Sequence, residues 1–192
     1  MIPKKVVHLL SGGLDSTVLL YDLIRQKCEV HCVLFNYKQK HAWREIPLAV
    51  DHCTELGVKW TEIQLPEIAG STLTDGSGSK IVPNRNAIFL SHAVAIAVRA
   101  GAGSVTYACN RDDAADFPDC RRKFVDAMNA LQQAAATGVE ICAPYIDLTK
   151  REIVAIGRKL GVEMERTYSC YAGGQAGCGV CDACKARAKA MA

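Results

Sequence analysis

The spacing of apolar residues changes period repeatedly along the chain. Residues 4–10 alternate little and are almost wholly apolar, as a strand buried on both faces should be. Over 16–27, Val18, Leu19, Tyr21, Leu23 and Ile24 recur at a spacing that suits a helix. Further strand-like runs follow at 29–37 (EVHCVLFNY), 58–65 (VKWTEIQL), 104–109 (SVTYAC) and 140–145 (EICAPY). Between and after them the pattern predicts helices over 42–56, despite Pro47, and over 85–100, 118–136 and 149–160. Gly57 and Gly101 stand where C′ glycines end helices, and Thr149 is a natural N-cap. Residues 66–84, which contain STLTDGSGSK, read as a mobile polar loop with no core-forming pattern.

Strands that alternate with helices predict an α/β fold: an open, doubly wound parallel sheet of Rossmann-like type with helices on both faces. No internal repeat is visible. Sheets of this kind bind ligands beyond the carboxyl ends of their strands, where the strand order reverses. The first strand-to-helix turn, residues 11–16, is the candidate place.

Composition narrows the picture. The chain has 192 residues, 49% hydrophobic and 22% charged, enough for one globular core. A net charge of +3 permits an anionic ligand but does not predict a nucleic-acid surface. No window approaches the roughly eighteen unbroken apolar residues of a membrane span. The opening MIPKKVVHLLSGG is too short in its apolar part for a secretion signal, so a cytoplasmic protein is expected.

The turn itself reads SGGLDST, from Ser11 to Thr17, directly after Leu10. A helix N-terminus offers unpaired N–H groups and the positive end of the macrodipole, and Gly12 and Gly13 remove the Cβ atoms that would keep an anion away. Ser11, Ser16 and Thr17 add hydroxyls. Asp15 is out of place beside phosphates, and reads as a partner for Mg²⁺ or for the turn's own backbone. The loop matches neither the lysine-bearing P-loop nor the dinucleotide fingerprint. The plain alternative is a tight turn with a serine cap and nothing bound.

Ten cysteines divide into two sets. Six are scattered, whereas Cys170, Cys178, Cys181 and Cys184 crowd one glycine-rich segment, SCYAGGQAGCGVCDACKAR. Four thiolates at this spacing suit a tetrahedral Zn²⁺ with a structural role. An iron–sulfur cluster is the rival reading. Lys185, Arg187 and Lys189 follow, either as a solvated helix end or as phosphate holders.

S-G-G-x-D-S after a first strand closely resembles the pyrophosphate loop of ATP pyrophosphatases, enzymes that adenylate a substrate and release pyrophosphate. VPNRNAIFLSHA (82–93), DFPDCRRKF (116–124), NYKQKH (36–41) and the cysteine-rich end are similar, in the same order, to stretches of the 7-cyano-7-deazaguanine synthase family. Together they span nearly the whole chain. The chain departs from the family pattern at Lys38 and Lys40, at Phe117 in place of a tyrosine, and in the 110–116 loop. Its 66–82 segment is shorter than that resemblance leads one to expect.

The resemblance implies an adenine nucleotide α-hydrolase type of fold over 1–165, with a zinc-binding segment, 166–192, packed on it. It implies a carbon–nitrogen ligase that converts 7-carboxy-7-deazaguanine and ammonia to the nitrile at the expense of ATP, with Mg²⁺ as the nucleotide's partner. Leu10, Ser11, Gly12, Gly13, Leu14, Asp15, Ser16, Thr17 and Lys40 would hold ATP. Asp15, Ser16, Arg85 and Lys150 would serve catalysis. Arg85, Asn86, Asp116, Asp119 and Arg121 would meet the deazaguanine, with Asp119 the first choice for its N–H edge. Cys170, Cys178, Cys181 and Cys184 would bind zinc. Lys40 and His41 are candidates for flanking the phosphates or handling the ammonia proton, with a plain surface pair at a helix entrance as the alternative. A homodimer without nucleic-acid or membrane partners is expected. Two other readings stay open: a tRNA thiolase, and a nucleotide-binding module without ligase activity.

Overall fold

The structure, a computed structural model, describes residues 2–68, 70–76 and 78–192. Five parallel strands form one sheet: β1 (Lys5–Leu9), β2 (Glu29–Asn36), β3 (Lys59–Gln64), β4 (Ser104–Thr106) and β5 (Glu140–Cys142). Their order is β3-β2-β1-β4-β5. The chain therefore builds outward from β1 on one side, then crosses back to build on the other. The order reverses between β1 and β4.

The handedness of crossovers fixes what covers each face. Right-handed connections that move in opposite directions must lie on opposite faces of a sheet. Accordingly α1 (Leu14–Arg25) and α2 (Ala42–Glu55) pack on one face, and α3 (Arg85–Ala100) and α4 (Arg122–Ala134) on the other. α5 (Lys150–Lys159) and α6 (Asp182–Met191) join the first face. Strand pleating divides the core in the same way. Val7, Val33 and Phe35 point into the α3/α4 core, while Val6, Cys32 and Leu34 point into the α1/α5 core.

His8, buried with 0% exposure in the middle of β1, joins three elements. Its Nε2–H donates to the Ser16 carbonyl in α1 at 2.9 Å, which leaves Nδ1 to accept from the Thr106 hydroxyl of β4, also at 2.9 Å. Burial pushes its pKa down to about 4, so the ring is neutral. A histidine with no partner legible along the sequence thus anchors the turn to the strand pair at the reversal point.

Several boundaries shift from the expected ones. α1 starts at Leu14, not at 16. β4 ends at Thr106, and Tyr107 to Cys109 leave the sheet to line the cavity described below. β5 likewise stops at Cys142. The helix expected from 118 begins at Arg122, because Pro118–Cys120 form a 3₁₀ turn and Arg121 is extended at φ −96 and ψ 150. The 66–84 segment is not free of core residues: Leu73 and Val82 are each 3% exposed and join the α3/α4 core. The part of that loop expectation that falls on Ala69 and Ser77 lies outside the described residues. No helix among the described residues is long and apolar enough to cross a membrane.

Candidate active site

A cavity of about 510 Å³ opens at the carboxyl ends of β1, β2 and β4, at the reversal of strand order. Leu10, Ser11, Gly13, Leu14, Asp15 and Ser16 line it from the glycine turn, and Arg85 and Asn86 from the start of α3. Asp112, Asp113 and Asp116 line it from the loop after β4, and Lys185 and Arg187 from α6.

The turn is tied by its own hydroxyls. Ser16 Oγ donates to the Gly13 carbonyl at 3.2 Å, accepts from the Ser11 N–H at 3.2 Å and lies 3.0 Å from Ser11 Oγ. Ser11 Oγ accepts from the Gly13 N–H at 3.2 Å. Gly13 is the N-cap of α1, and no side chain caps the helix. The plain alternative of a serine cap is therefore not what forms: the first amides of α1 stay available to an anion. Gly12 has φ +77, and a Cβ there would run into the Glu45 carbonyl of α2, so only glycine fits. Thr17 lies under the turn at 0% exposure, outside the cavity lining.

Asp15 pairs with a lysine, a partner not read from the sequence. Lys150 Nζ donates to Asp15 Oδ2 at 2.5 Å, and Asn110 Nδ2 donates to the same oxygen at 3.1 Å. The side chains are only 16% and 13% exposed. Burial works against the Lys150 charge, but Asp15 and Asp113 outweigh it and hold the pKa above the ordinary lysine value. Burial also raises the Asp113 carboxyl, with Lys150 opposing. The lysine missing from the turn is thus supplied 135 residues later in the chain, at the start of α5. A capping box places it: Thr149 Oγ1 accepts from the Glu152 N–H at 3.2 Å, and Glu152 accepts from the Thr149 N–H at 2.7 Å.

Arg85 Nη1 donates to the Tyr37 hydroxyl at 3.3 Å, and its guanidinium sits 6.0 Å from the Tyr37 ring centre. Burial opposes its charge, but Tyr37 and Asp119 more than compensate. Asp116 lines the cavity and pairs with Lys80 at 2.7 Å. Asp119 and Arg121 are not in the lining: the Asp119 carbonyl accepts from Tyr107, and Arg121 donates to the Ala114 and Ala115 carbonyls, holding the loop. Lys40 also lies outside the lining, donating to the Thr72 carbonyl at 3.0 Å.

Sequence reasoning missed Tyr37, Glu45, Lys80 and Asp113. Only Asp113, in the aspartate-rich run, and Glu45, one helical turn after His41, carried any local signal.

The sulfurs of Cys170, Cys178, Cys181 and Cys184 all lie within 4.8 Å of one another. The Cys178 and Ala172 amides donate to Cys170 Sγ at 3.3 and 3.4 Å, and the Cys181 amide to Cys178 Sγ at 3.3 Å. Amides aimed at sulfur stabilise thiolates, so the donor set fits a metal. The segment is fastened to the rest: the Tyr168 N–H donates to the Gly12 carbonyl at 2.9 Å, and Arg187 donates to Thr167 Oγ1 at 2.7 Å and to the Met164 carbonyl.

Comparison with known proteins places this arrangement. The model of the family described as queuosine biosynthesis protein QueC matches residues 5–192. A 7-cyano-7-deazaguanine synthase from Caldicellulosiruptor bescii is 39% identical over 204 residues, covering 97% of this chain and 92% of the relative. One from Archaeoglobus fulgidus is 40% identical over 205 residues, covering 97% and 85%. Among solved structures, the U34-tRNA thiolase NcsA from Methanococcus maripaludis with its [4Fe-4S] cluster superposes with a TM-score of 0.59 at 17% identity, covering 97% of this chain and 62% of that one. At that identity the likeness concerns the fold alone. Matched by that family model over residues 5–192 and by these relatives over nearly its whole length, the chain belongs to the 7-cyano-7-deazaguanine synthase (QueC) family of carbon–nitrogen ligases.

Proposed function

We propose that the chain converts 7-carboxy-7-deazaguanine and ammonia to 7-cyano-7-deazaguanine, using ATP twice. The observation that carries this is a single cavity joining the uncapped N-terminus of α1, with its Asp15–Lys150 pair, to Arg85 and Asn86.

A carboxylate resists ammonia because oxide is a hopeless leaving group. Its oxygen therefore attacks the α-phosphorus, the bond to pyrophosphate breaks, and an acyl-adenylate forms. Ammonia adds to the acyl carbon, AMP departs with the C–O electron pair, and an amide remains after proton loss. The amide oxygen is adenylated in the same way with a second ATP. Loss of AMP and of the remaining N–H protons leaves the nitrile.

The first amides of α1, from Leu14 onward, with Lys150, hold the pyrophosphate portion, and Arg85 orients the substrate carboxylate or neutralises the α-phosphate. Asn86 and Asp116 suit the polar edge of the base, while Asp119 and Arg121 support the loop that carries Asp116. Among the described residues Asp15 Oδ1 is buried and has no hydrogen-bond partner, so Asp15, with Asp113, would hold the Mg²⁺ that neutralises phosphate charge. The four cysteines would hold one Zn²⁺ with no open position, a structural ion that keeps α6 and Arg187 against the cavity.

Incubation with ATP, ¹⁵N-ammonium and 7-carboxy-7-deazaguanine, read by mass spectrometry, tests the proposal. The expected product is the acid plus one ammonia minus two waters, with two AMP released per nitrile. AMP release only when RNA is added, or ATP binding without cleavage, overturns it.

A further inference from the structure

The steps above leave one acid–base pair on the cavity wall unused. Glu45 Oε2 of α2 lies 3.4 Å from Nε2 of His41, the N-cap of α2, and both line the cavity. The two side chains are 13% and 6% exposed, and Nδ1 of His41 is buried without a hydrogen-bond partner among the described residues. We propose that Glu45 and His41 hold the ammonia nucleophile and accept the protons its nitrogen gives up, a role that rests on the function proposed above.

The other cavity carboxylates are already committed. Asp15 is paired with Lys150, Asp116 and Asp182 are paired with Lys80, Asp113 accepts from Asn110 at 2.8 Å, and Asp112 accepts from the Lys150 N–H at 2.9 Å. Glu45 meets a histidine instead. Around the pair stand Tyr37 and Gln39 at the exit of β2, Arg85 of α3, and Tyr168 and Tyr171 of the cysteine segment. Of these only Arg85 is charged, and it acts on both members of the pair. It is also the residue proposed to orient the substrate carboxylate, so the nucleophile would be held beside the carbon it attacks.

At neutral pH ammonia is mostly ammonium, whose lone pair is occupied by a proton. An ordinary carboxylate is too weak a base to remove it. Burial pushes Glu45 up to about 8, with Arg85 and Gln39 opposing, which makes its carboxylate basic enough to take that proton. Burial pushes His41 down to about 4, so the ring stays neutral and orients the nitrogen. Ammonium gives a proton to Glu45, which passes it to solvent. The freed nitrogen attacks the acyl carbon, the C–N bond forms, and the C–O bond to AMP breaks. The nitrogen's surplus proton then leaves through the same carboxylate.

Two partial reactions separate this role from nucleotide binding. Glu45→Gln is expected to keep the acid-dependent exchange of labelled pyrophosphate into ATP, while ammonium-dependent amide formation falls by about 10²-fold. Hydroxylamine is unprotonated at neutral pH and needs no base, so its capture of the adenylate as a hydroxamate should proceed in the variant as in the parent. His41→Gln is expected to behave alike. Equal loss of exchange and amide formation, loss of hydroxamate formation, or an unchanged ammonium step overturns the assignment. Absence of acid-dependent exchange in the parent chain instead overturns the proposed function, and this role with it.

Discussion

At Asp15 a carboxylate sits at a helix N-terminus, beside the place proposed for pyrophosphate, where repulsion would be expected. Lys150 supplies the compensating charge, and the pair is nearly dry. Replacing Lys150 by Met leaves a buried carboxylate without its cation, which should cost about 3–5 kcal/mol of stability in urea unfolding. The same change should lower AMP release by about 10²–10³-fold through lost phosphate stabilisation. His8 gives a pH dependence at the same scale. Its folded pKa of about 4 lies below the unfolded 6.5, so the unfolded chain binds the extra proton between those values. The stability is present above pH 6.5 and is lost as pH falls toward 4, by about 3 kcal/mol for this residue. Urea titrations at pH 7 and pH 5 should show the drop, with the linked opening felt first where Ser16 and Thr106 meet the ring. Neither partnership was visible along the chain, since His8 and Thr106 are separated by 98 positions.

Among elements, five strands and five helices were legible because burial on two faces or one imposes periods that survive in the sequence. α6 was not. Only Ala190 of its ten residues is buried, so it has almost no apolar stripe to announce it. Its start is held by Cys181, whose sulfur accepts from the Cys184 amide at 3.5 Å, within the proposed metal site. Removal of the metal with a chelator should therefore melt α6 and displace Lys185 and Arg187. Circular dichroism should register lost helix, and AMP release should fall with it, with zinc restoring both. At α5, Thr149→Ala removes the capping box and should cost about 1 kcal/mol. Because the cap also aims Lys150 at Asp15, activity should fall further than stability alone explains.

For the whole molecule, the decisive feature is the return of the chain from β3 to β4. It brings the glycine turn, the start of α3 and the loop after β4 to one crevice, and the cysteine segment closes the same space. A ligand that binds only the folded chain stabilises it: ATP with Mg²⁺ at a hundred times its dissociation constant should add about 2.7 kcal/mol. Gly12→Ala, forced into a left-handed conformation against the Glu45 carbonyl, should abolish that shift in a thermal melt.

The fold class, the place of the glycine turn at the head of α1 and the gathering of four cysteines in one segment were determined by the sequence alone, because each depends on residues close together in the chain. Spacing encodes which face is buried, which helix end is open, and which thiols can meet. The charge partner of Asp15, the seat of His8, the anchoring of the 66–84 segment through Leu73 and Val82, and the Glu45–His41 pair's place on the cavity were decided only in three dimensions. Such contacts arise from strand order and helix packing, which set the distance between residues that no local period connects.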